Sequence, residues 1–165
     1  NIINIIENIP EIEYVLAGDG TNEYMNSLKL LPGWSKVNYL GKIPHSRVRH
    51  IYSESMAGIA LNFSNQAKEQ GTLGNTKLFE YMEAGLPVIC SDYKLWKEII
   101  NEYGCGMCVN PNDVKGIENA IVFVINNTEK AMEMGQNARR AVVEKYNWIT
   151  QERILLKLYS DIVKI

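Results

Sequence analysis

Short apolar or β-branched runs alternate along this chain with longer segments whose apolar residues recur at three- and four-residue spacing, and that alternation admits few folds. Short apolar runs of this kind read as strands of a parallel sheet, and consecutive parallel strands need a crossover, usually a helix. The pattern predicts strands at residues 13–17, 36–40, 58–63, 87–90 and 106–109. Helices are expected between them. Residues 21–31 place Tyr24, Met25, Leu28 and Leu31 on one face and stop at Pro32-Gly33. Residues 45–55 place Val48, Ile51 and Tyr52 together, and residues 77–84 do the same with Leu78, Tyr81 and Met82 before Gly85, which suits the left-handed residue that closes a helix. The opening Asn1-to-Pro10 stretch is apolar at 2, 3, 5, 6 and 9, a helical spacing that reads as the middle of a larger element. Beyond residue 109 the alternation stops, and 112–126, 128–146 and 150–165 read as three consecutive helices. The expected architecture is a single Rossmann-like three-layer α/β/α domain, 1–165, with a parallel sheet and a C-terminal helical tail.

Composition narrows the partners. A chain of 165 residues, 46% hydrophobic, is long enough to build one core without metal or disulfide staples. Its 17 basic and 19 acidic side chains leave a formal charge of −2, which gives no global drive toward nucleic acid. Three cysteines, an odd number, fit a reducing compartment, and no leader or spanning segment is visible, so a cytoplasmic location is expected. Cys105-Gly-Met-Cys108 has C-x-x-C spacing, but Cys90 is the one further cysteine and a zinc site needs more ligands, so buried inert thiols are expected and no metal site. Trp34, Trp96 and Trp148 read as packing anchors, and Arg139, Arg140 and Lys145 as a solvated helix face.

In an open parallel sheet, ligands bind beyond the carboxyl ends of the strands, so the loops there hold the candidates. Gly18-Asp19-Gly20-Thr21 is either a phosphate-binding turn or a structural strand-to-helix turn with Thr21 as N-cap; Glu23 occupies the place where a Gly-x-Gly-x-x-Gly would finish. Gly41-Lys42-Ile43-Pro44 is either a plain turn or a backbone edge offered to a flat heterocycle. His45 and His50 read as helix-surface residues. The richest segment runs from Asn65 through Gly71, Thr72, Gly74, Asn75, Thr76 and Lys77 to Glu80. A glycine-containing loop there enters a helix capped by Asn75 or Thr76, whose unpaired N–H groups and positive dipole end suit a phosphate or diphosphate. Lys77 adds a full charge, and Glu80, one turn on, is placed to accept hydrogen bonds from a vicinal diol; the alternative is a capped helix with a dipole-complementing carboxylate.

Lys77-Leu-Phe-Glu80-Tyr-Met-Glu-Ala-Gly85-Leu-Pro87-Val-Ile with Ser91-Asp92 resembles the signature of the nucleotide-sugar-binding domain of retaining glycosyltransferases of family 4. The flanking Val15-Leu-Ala-Gly18-Asp19-Gly20, Val37-Asn-Tyr-Leu-Gly41-Lys-Ile, Gly104-Cys-Gly106, Asn110-Pro111, Met134-Gly135 and Tyr146-Asn147-Trp148 agree in order. The resemblance implies one half of a GT-B fold, with an acceptor-binding N-terminal lobe elsewhere, the lobe's first strand upstream of Asn1, and a nucleoside-diphosphate sugar, of uridine or guanosine, as substrate without further cofactor. It implies that Glu80 binds the ribose hydroxyls, that Asn75, Thr76 and Lys77 hold the distal phosphate with Gly74 also at the donor, that Gly41, Lys42 and Ile43 read the base, and that Gly18 and Gly20 line the same cleft. Thr72 stands where the family's E-x(7)-E motif has its first glutamate, with Glu69 the nearest stand-in, so no catalytic residue is assigned. Also implied are surface-polysaccharide products, peripheral membrane contact of the full-length enzyme, and self-association of the isolated lobe through apolar residues of its last helix. The alternative is a non-catalytic nucleotide-binding or regulatory module of the same fold. A dehydrogenase-like or response-regulator-like domain is disfavoured, because the glycine motif is incomplete and no acidic cluster follows the first strand.

Overall fold

The computed structural model describes residues 2–62 and 71–163. Its elements run α1 (Ile2–Ile6), β1 (Tyr14–Ala17), α2 (Asn22–Lys29), a 3-10 turn (Pro32–Lys36), β2 (Val37–Gly41), α3 (His45–Ser53), β3 (Gly58–Ala60), α4 (Thr76–Glu83), β4 (Val88–Ser91), α5 (Lys94–Tyr103), β5 (Gly106–Val109), α6 (Val114–Asn126), α7 (Thr128–Glu144) and α8 (Trp148–Val163). All five predicted strands are present, and all pairing is parallel. They form two ladders, β1–β2 and β3–β4–β5. The sequence pattern had carried β3 on to Phe63; the strand ends at Ala60, and Phe63 lies outside the described residues.

Period-two alternation distributes the strand side chains between two cores. Ala60, Val88, Cys90 and Cys108 face one cluster, where α4, α5 and α7 contribute Leu78, Met82, Trp96, Ile99, Ile100, Ala138 and Ala141. Ile59, Ile89, Met107 and Val109 face the other, with Ile2, Ile3, Ile5 and Ile6 of α1, Leu28 of α2 and Ile117, Ile121 and Val124 of α6; Tyr14 and Leu16 of β1 and Val37 of β2 pack against it. These are the two helical layers. The small residues Ala131, Gly135, Ala138 and Ala141 on α7 let that helix lie close against the sheet's end and join both clusters. A Cβ at Gly135 would stand 2.1 Å from the Gly85 carbonyl oxygen.

Some expectations are corrected. Tyr24, predicted on the inner face of α2, is 58% exposed, while Leu28 is buried. Trp148 is not an anchor: it is 68% exposed on α8, a helix without a single buried residue among those described. Arg139, Arg140 and Lys145 are exposed, as a solvated helix face requires, and there the Lys145 ammonium bonds both Glu102 carboxylate oxygens at 3.0 and 3.1 Å. Arg139 likewise donates to the Glu83 carbonyl at 2.6 Å. Helix α5, with Trp96, Ile99 and Ile100 buried, was not singled out from the sequence.

Candidate functional site

The strand ends place the candidate loops. Between Leu16 and Ala17 the β1–β2 register slips, so that Ala17 stands opposite Gly41. The Gly18 N–H then donates to the Gly41 carbonyl at 2.9 Å, and the Tyr39 hydroxyl donates to the Gly18 carbonyl at 3.2 Å. The Gly18–Gly20 turn and the Gly41-Lys42-Ile43 turn are thus one unit. Within it, the Gly20 N–H donates to the Asp19 carboxylate at 2.8 Å, and Thr21 caps α2 by accepting from the Tyr24 N–H at 3.3 Å. The amides of Gly18 and Gly20 are therefore turned to protein acceptors. Lys42 is exposed and Ile43 half-buried just before α3 begins.

Helix α4 opens as expected, with Asn75 as its N-cap; the Asn75 side chain accepts from the Leu78 N–H at 3.4 Å. A helix leaves its first N–H groups without intrahelical acceptors, so those of Thr76 and Lys77 remain at the positive end of the dipole. Both residues are exposed. The loop ahead of the cap is held from below: the Trp96 indole N–H donates to the Thr72 carbonyl at 3.0 Å, and the Thr72 hydroxyl accepts from the Gly74 N–H at 3.0 Å. Position 72 therefore serves loop shape. Glu69 falls outside the described residues.

Glu80 lies one turn into α4 and is half-buried. Tyr52 of α3 donates its hydroxyl to Glu80 Oε2 at 3.0 Å, and its ring meets Tyr81 edge-on at 5.2 Å between centroids. Burial first, and then the Glu80 hydrogen bond, raise the Tyr52 phenol well above its ordinary range. It stays a donor. Tyr52 and Glu80 both border a cavity of about 300 Å³ between α3, α4 and α7, together with His45, Arg49, Glu83 and Arg139 among others. Of the predicted donor residues, Glu80 lines it. His50, exposed, faces Glu54 at 3.4 Å.

A further polar clamp stands beside the strand ends. Ser91, wholly buried at the end of β4, accepts from the Asn62 N–H at 2.9 Å and donates to the Asn62 carbonyl at 3.2 Å, while the Tyr93 hydroxyl donates to the same carbonyl at 2.6 Å. One hydroxyl replaces a backbone partner where β3 leaves the ladder. Sequence reasoning did not find Tyr52, the Ser91–Asn62–Tyr93 clamp or the Trp96–Thr72 bond. Their partners lie 24 to 31 residues apart, so no local spacing signals them.

The cysteines pair differently from their spacing. Cys108 Sγ lies 3.7 Å from Cys90 Sγ across β4–β5, and Cys105 is buried. Burial pushes the Cys105 thiol up to about 11, and hydrogen bonding to Cys108 together with burial holds Cys90 protonated. Among the described residues, no three His, Cys, Asp or Glu side chains gather in a metal-holding group, and no helix is long and apolar enough to cross a membrane.

Structures of other proteins share this architecture. A glycosyltransferase from Rickettsia africae superposes with a TM-score of 0.79 at 20% identity, over 98% of this chain and 43% of that one. Sucrose-phosphate synthase from Thermosynechococcus elongatus gives 0.78 at 19% identity, over 99% of this chain and 41% of that one. Anabaena HepE in complex with UDP-glucose gives 0.76 at 19% identity, over 98% and 45%. The chain thus spans less than half the length of these proteins. No curated protein matches it. The sequence profile described as "Glycosyl transferases group 1" matches residues 2–141. With most of its length under that profile and a three-layer α/β/α fold of the kind found in half of a GT-B glycosyltransferase, the chain belongs to the glycosyl transferases group 1 family.

Proposed function

We propose that this chain is the donor-binding lobe of a retaining, family 4 glycosyltransferase that takes a nucleoside-diphosphate sugar, of uridine or guanosine. The observation that carries the reading is Glu80 standing one turn beyond the Asn75-capped start of α4, a carboxylate for a vicinal diol beside a terminus for phosphate. HepE, which shares the fold, is seen with UDP-glucose. In this reading the ribose hydroxyls meet Glu80, the distal phosphate meets the amides of Asn75, Thr76 and Lys77 and the Lys77 ammonium beside Gly74, and the base lies along Gly41-Lys42-Ile43 near Gly18 and Gly20.

The chemistry asked of such a lobe is electrostatic. As the glycosidic bond breaks, the nucleoside diphosphate gains negative charge, and fixed N–H groups with a nearby cation stabilise that charge more than they stabilise the intact donor. No metal is required in this scheme. The acceptor would come from a second lobe, so the chain alone binds donor and transfers nothing. The separation of the β1–β2 and β3–β4–β5 ladders supports a further strand, the lobe's first, standing between β1 and β3 in the parent protein. The apolar residues left exposed on α8, among them Ile154, Leu158 and Ile162, support cover by that second lobe, with self-association of the isolated chain as the consequence of its absence. A cytoplasmic enzyme touching a membrane peripherally and building surface polysaccharide completes the proposal.

A second reading, a nucleotide-binding module without transfer activity, is favoured by one feature. Thr72 replaces the carboxylate that would meet the donor sugar, and both its hydroxyl and its carbonyl are engaged in loop structure. Titration of uridine, guanosine and adenosine diphosphates into the chain tests both readings. Millimolar or tighter binding of one of them, weakened at least tenfold by Glu80→Ala, is expected; no binding, or binding indifferent to that change, overturns the donor-site assignment. Sugar transfer by the full-length protein then separates enzyme from module.

A further inference from the structure

We infer that Tyr52 is a positioning residue for Glu80, fixing the carboxylate so that it reads the diol of the bound nucleoside; the inference rests on the donor-site reading of Glu80. A glutamate side chain on a helix surface has several open rotamers, and a carboxylate that must meet two hydroxyls at once gains from being held in one. Tyr52 supplies the hold. Its hydroxyl takes one lone-pair site on Glu80 Oε2 at 3.0 Å; among the described residues no side chain or backbone group is bonded to Oε1, which leaves acceptor capacity on each oxygen for one hydroxyl.

The hold is itself backed by the fold. The Tyr52 ring stands edge-on to Tyr81 at 5.2 Å, and Tyr81 lies over Gly58 at the start of β3. A Cβ at Gly58 would come within 2.1 Å of the Tyr81 ring, so the absence of a side chain there is what admits the ring. Strand, ring, ring and carboxylate form one stack running from the sheet to the candidate diol site. Tyr52 sits on α3, the helix that begins directly after the Gly41-Lys42-Ile43 turn. The element that follows the base-reading loop thereby also orients the group that reads the sugar of the same nucleoside.

Calorimetric titration of three probes separates positioning from mere folding: uridine diphosphate, its 2′,3′-dideoxy analogue, and inorganic pyrophosphate, each into the unaltered chain, Tyr52→Phe and Glu80→Ala. Tyr52→Phe retains the ring and its packing, and thermal melting checks that it remains folded. It is expected to weaken uridine diphosphate about tenfold, roughly 1.4 kcal/mol, while leaving the dideoxy analogue and pyrophosphate within about twofold of their original affinities. Equal weakening of all three probes, or unchanged binding of uridine diphosphate, overturns the positioning role while Glu80→Ala still weakens the diol-bearing ligand. If Glu80→Ala is silent as well, the donor-site reading falls and this inference falls with it.

Discussion

The two ladders are built from strands of similar length and put to opposite uses. In β3–β4–β5 the central strand is buried at every position, Val88 to Ser91, with paired neighbours on both edges and a helical layer on each face. In β1–β2 no residue of either strand is fully buried, and α3, which follows, buries none. Hydrophobic stabilisation scales with apolar area removed from water, so the first ladder carries the stability. The second carries loops. Its Gly18–Gly41 bond joins two turns whose positions depend on two edge-like strands. A domain of this kind separates a stiff anchor for the α4 terminus from a softer platform made of the Gly18 and Gly41 turns.

Tryptophan truncation puts the largest strain on that contrast. Trp96→Ala removes a wholly buried ring from the β3–β4–β5 side and also the donor to Thr72, so it is expected to cost about 3–5 kcal/mol in urea unfolding. Trp34→Ala, on the β1–β2 side, removes a half-buried ring packed on Tyr39 at 6.0 Å and should cost at most about 2 kcal/mol. Equal losses would break the comparison. Hydrogen exchange sharpens it without mutation. The amides of Ile89 and Cys90 should exchange only through global unfolding, and those of Val15 and Leu16 through smaller openings.

Alkaline pH probes the seam between the two halves. Tyr81, whose phenol burial pushes up to about 12 from an ordinary 10, also feels Tyr14 of β1. Between those values the unfolded chain has lost the proton that the folded chain keeps, so folding stability falls as pH rises through that window. Tyr81→Phe should flatten the fall, as denaturant melts at pH 9 to 12 would show. Cap removal comes next, with Thr21→Ala and Asn75→Ala each costing about 1 kcal/mol by the loss of one bonded N–H. Trp148→Ala is the smallest, within about 0.5 kcal/mol, because the ring is already in solvent.

What could be read from the sequence follows from what is local. Helix α4 was legible because cap, apolar spacing and closing glycine lie within eleven residues of one another, Asn75 to Gly85, and the Leu86 N–H indeed returns to the Tyr81 carbonyl at 3.0 Å. The strands were legible from their runs, but β3 was drawn too long, since Ser91 captures Asn62 and ends its pairing with a side chain from another strand. The splitting of the sheet into two ladders leaves no mark on any single run; the resemblance alone, by putting the lobe's first strand upstream of Asn1, leaves room for such a gap. Among candidate site residues, Glu80, Asn75 and Gly41 drew attention by their place after strands, whereas Tyr52 read as one more apolar-face residue until its partner 28 positions away was known. Trp148 misled because its type suggests burial, and only the arrangement of α8 reveals otherwise.

That arrangement depends on one planar amide. Asn147 donates to the Val142 and Val143 carbonyls at 3.0 and 2.9 Å, while its own carbonyl oxygen accepts the Thr150 N–H at 2.9 Å. The last turn of α7 and the first turn of α8 are therefore stitched by opposite ends of the same group. The apolar flank of α8 leaves the domain already aimed, and the orientational entropy of presenting it is surrendered when the chain folds, so that a surface of the kind proposed above would not have to supply it.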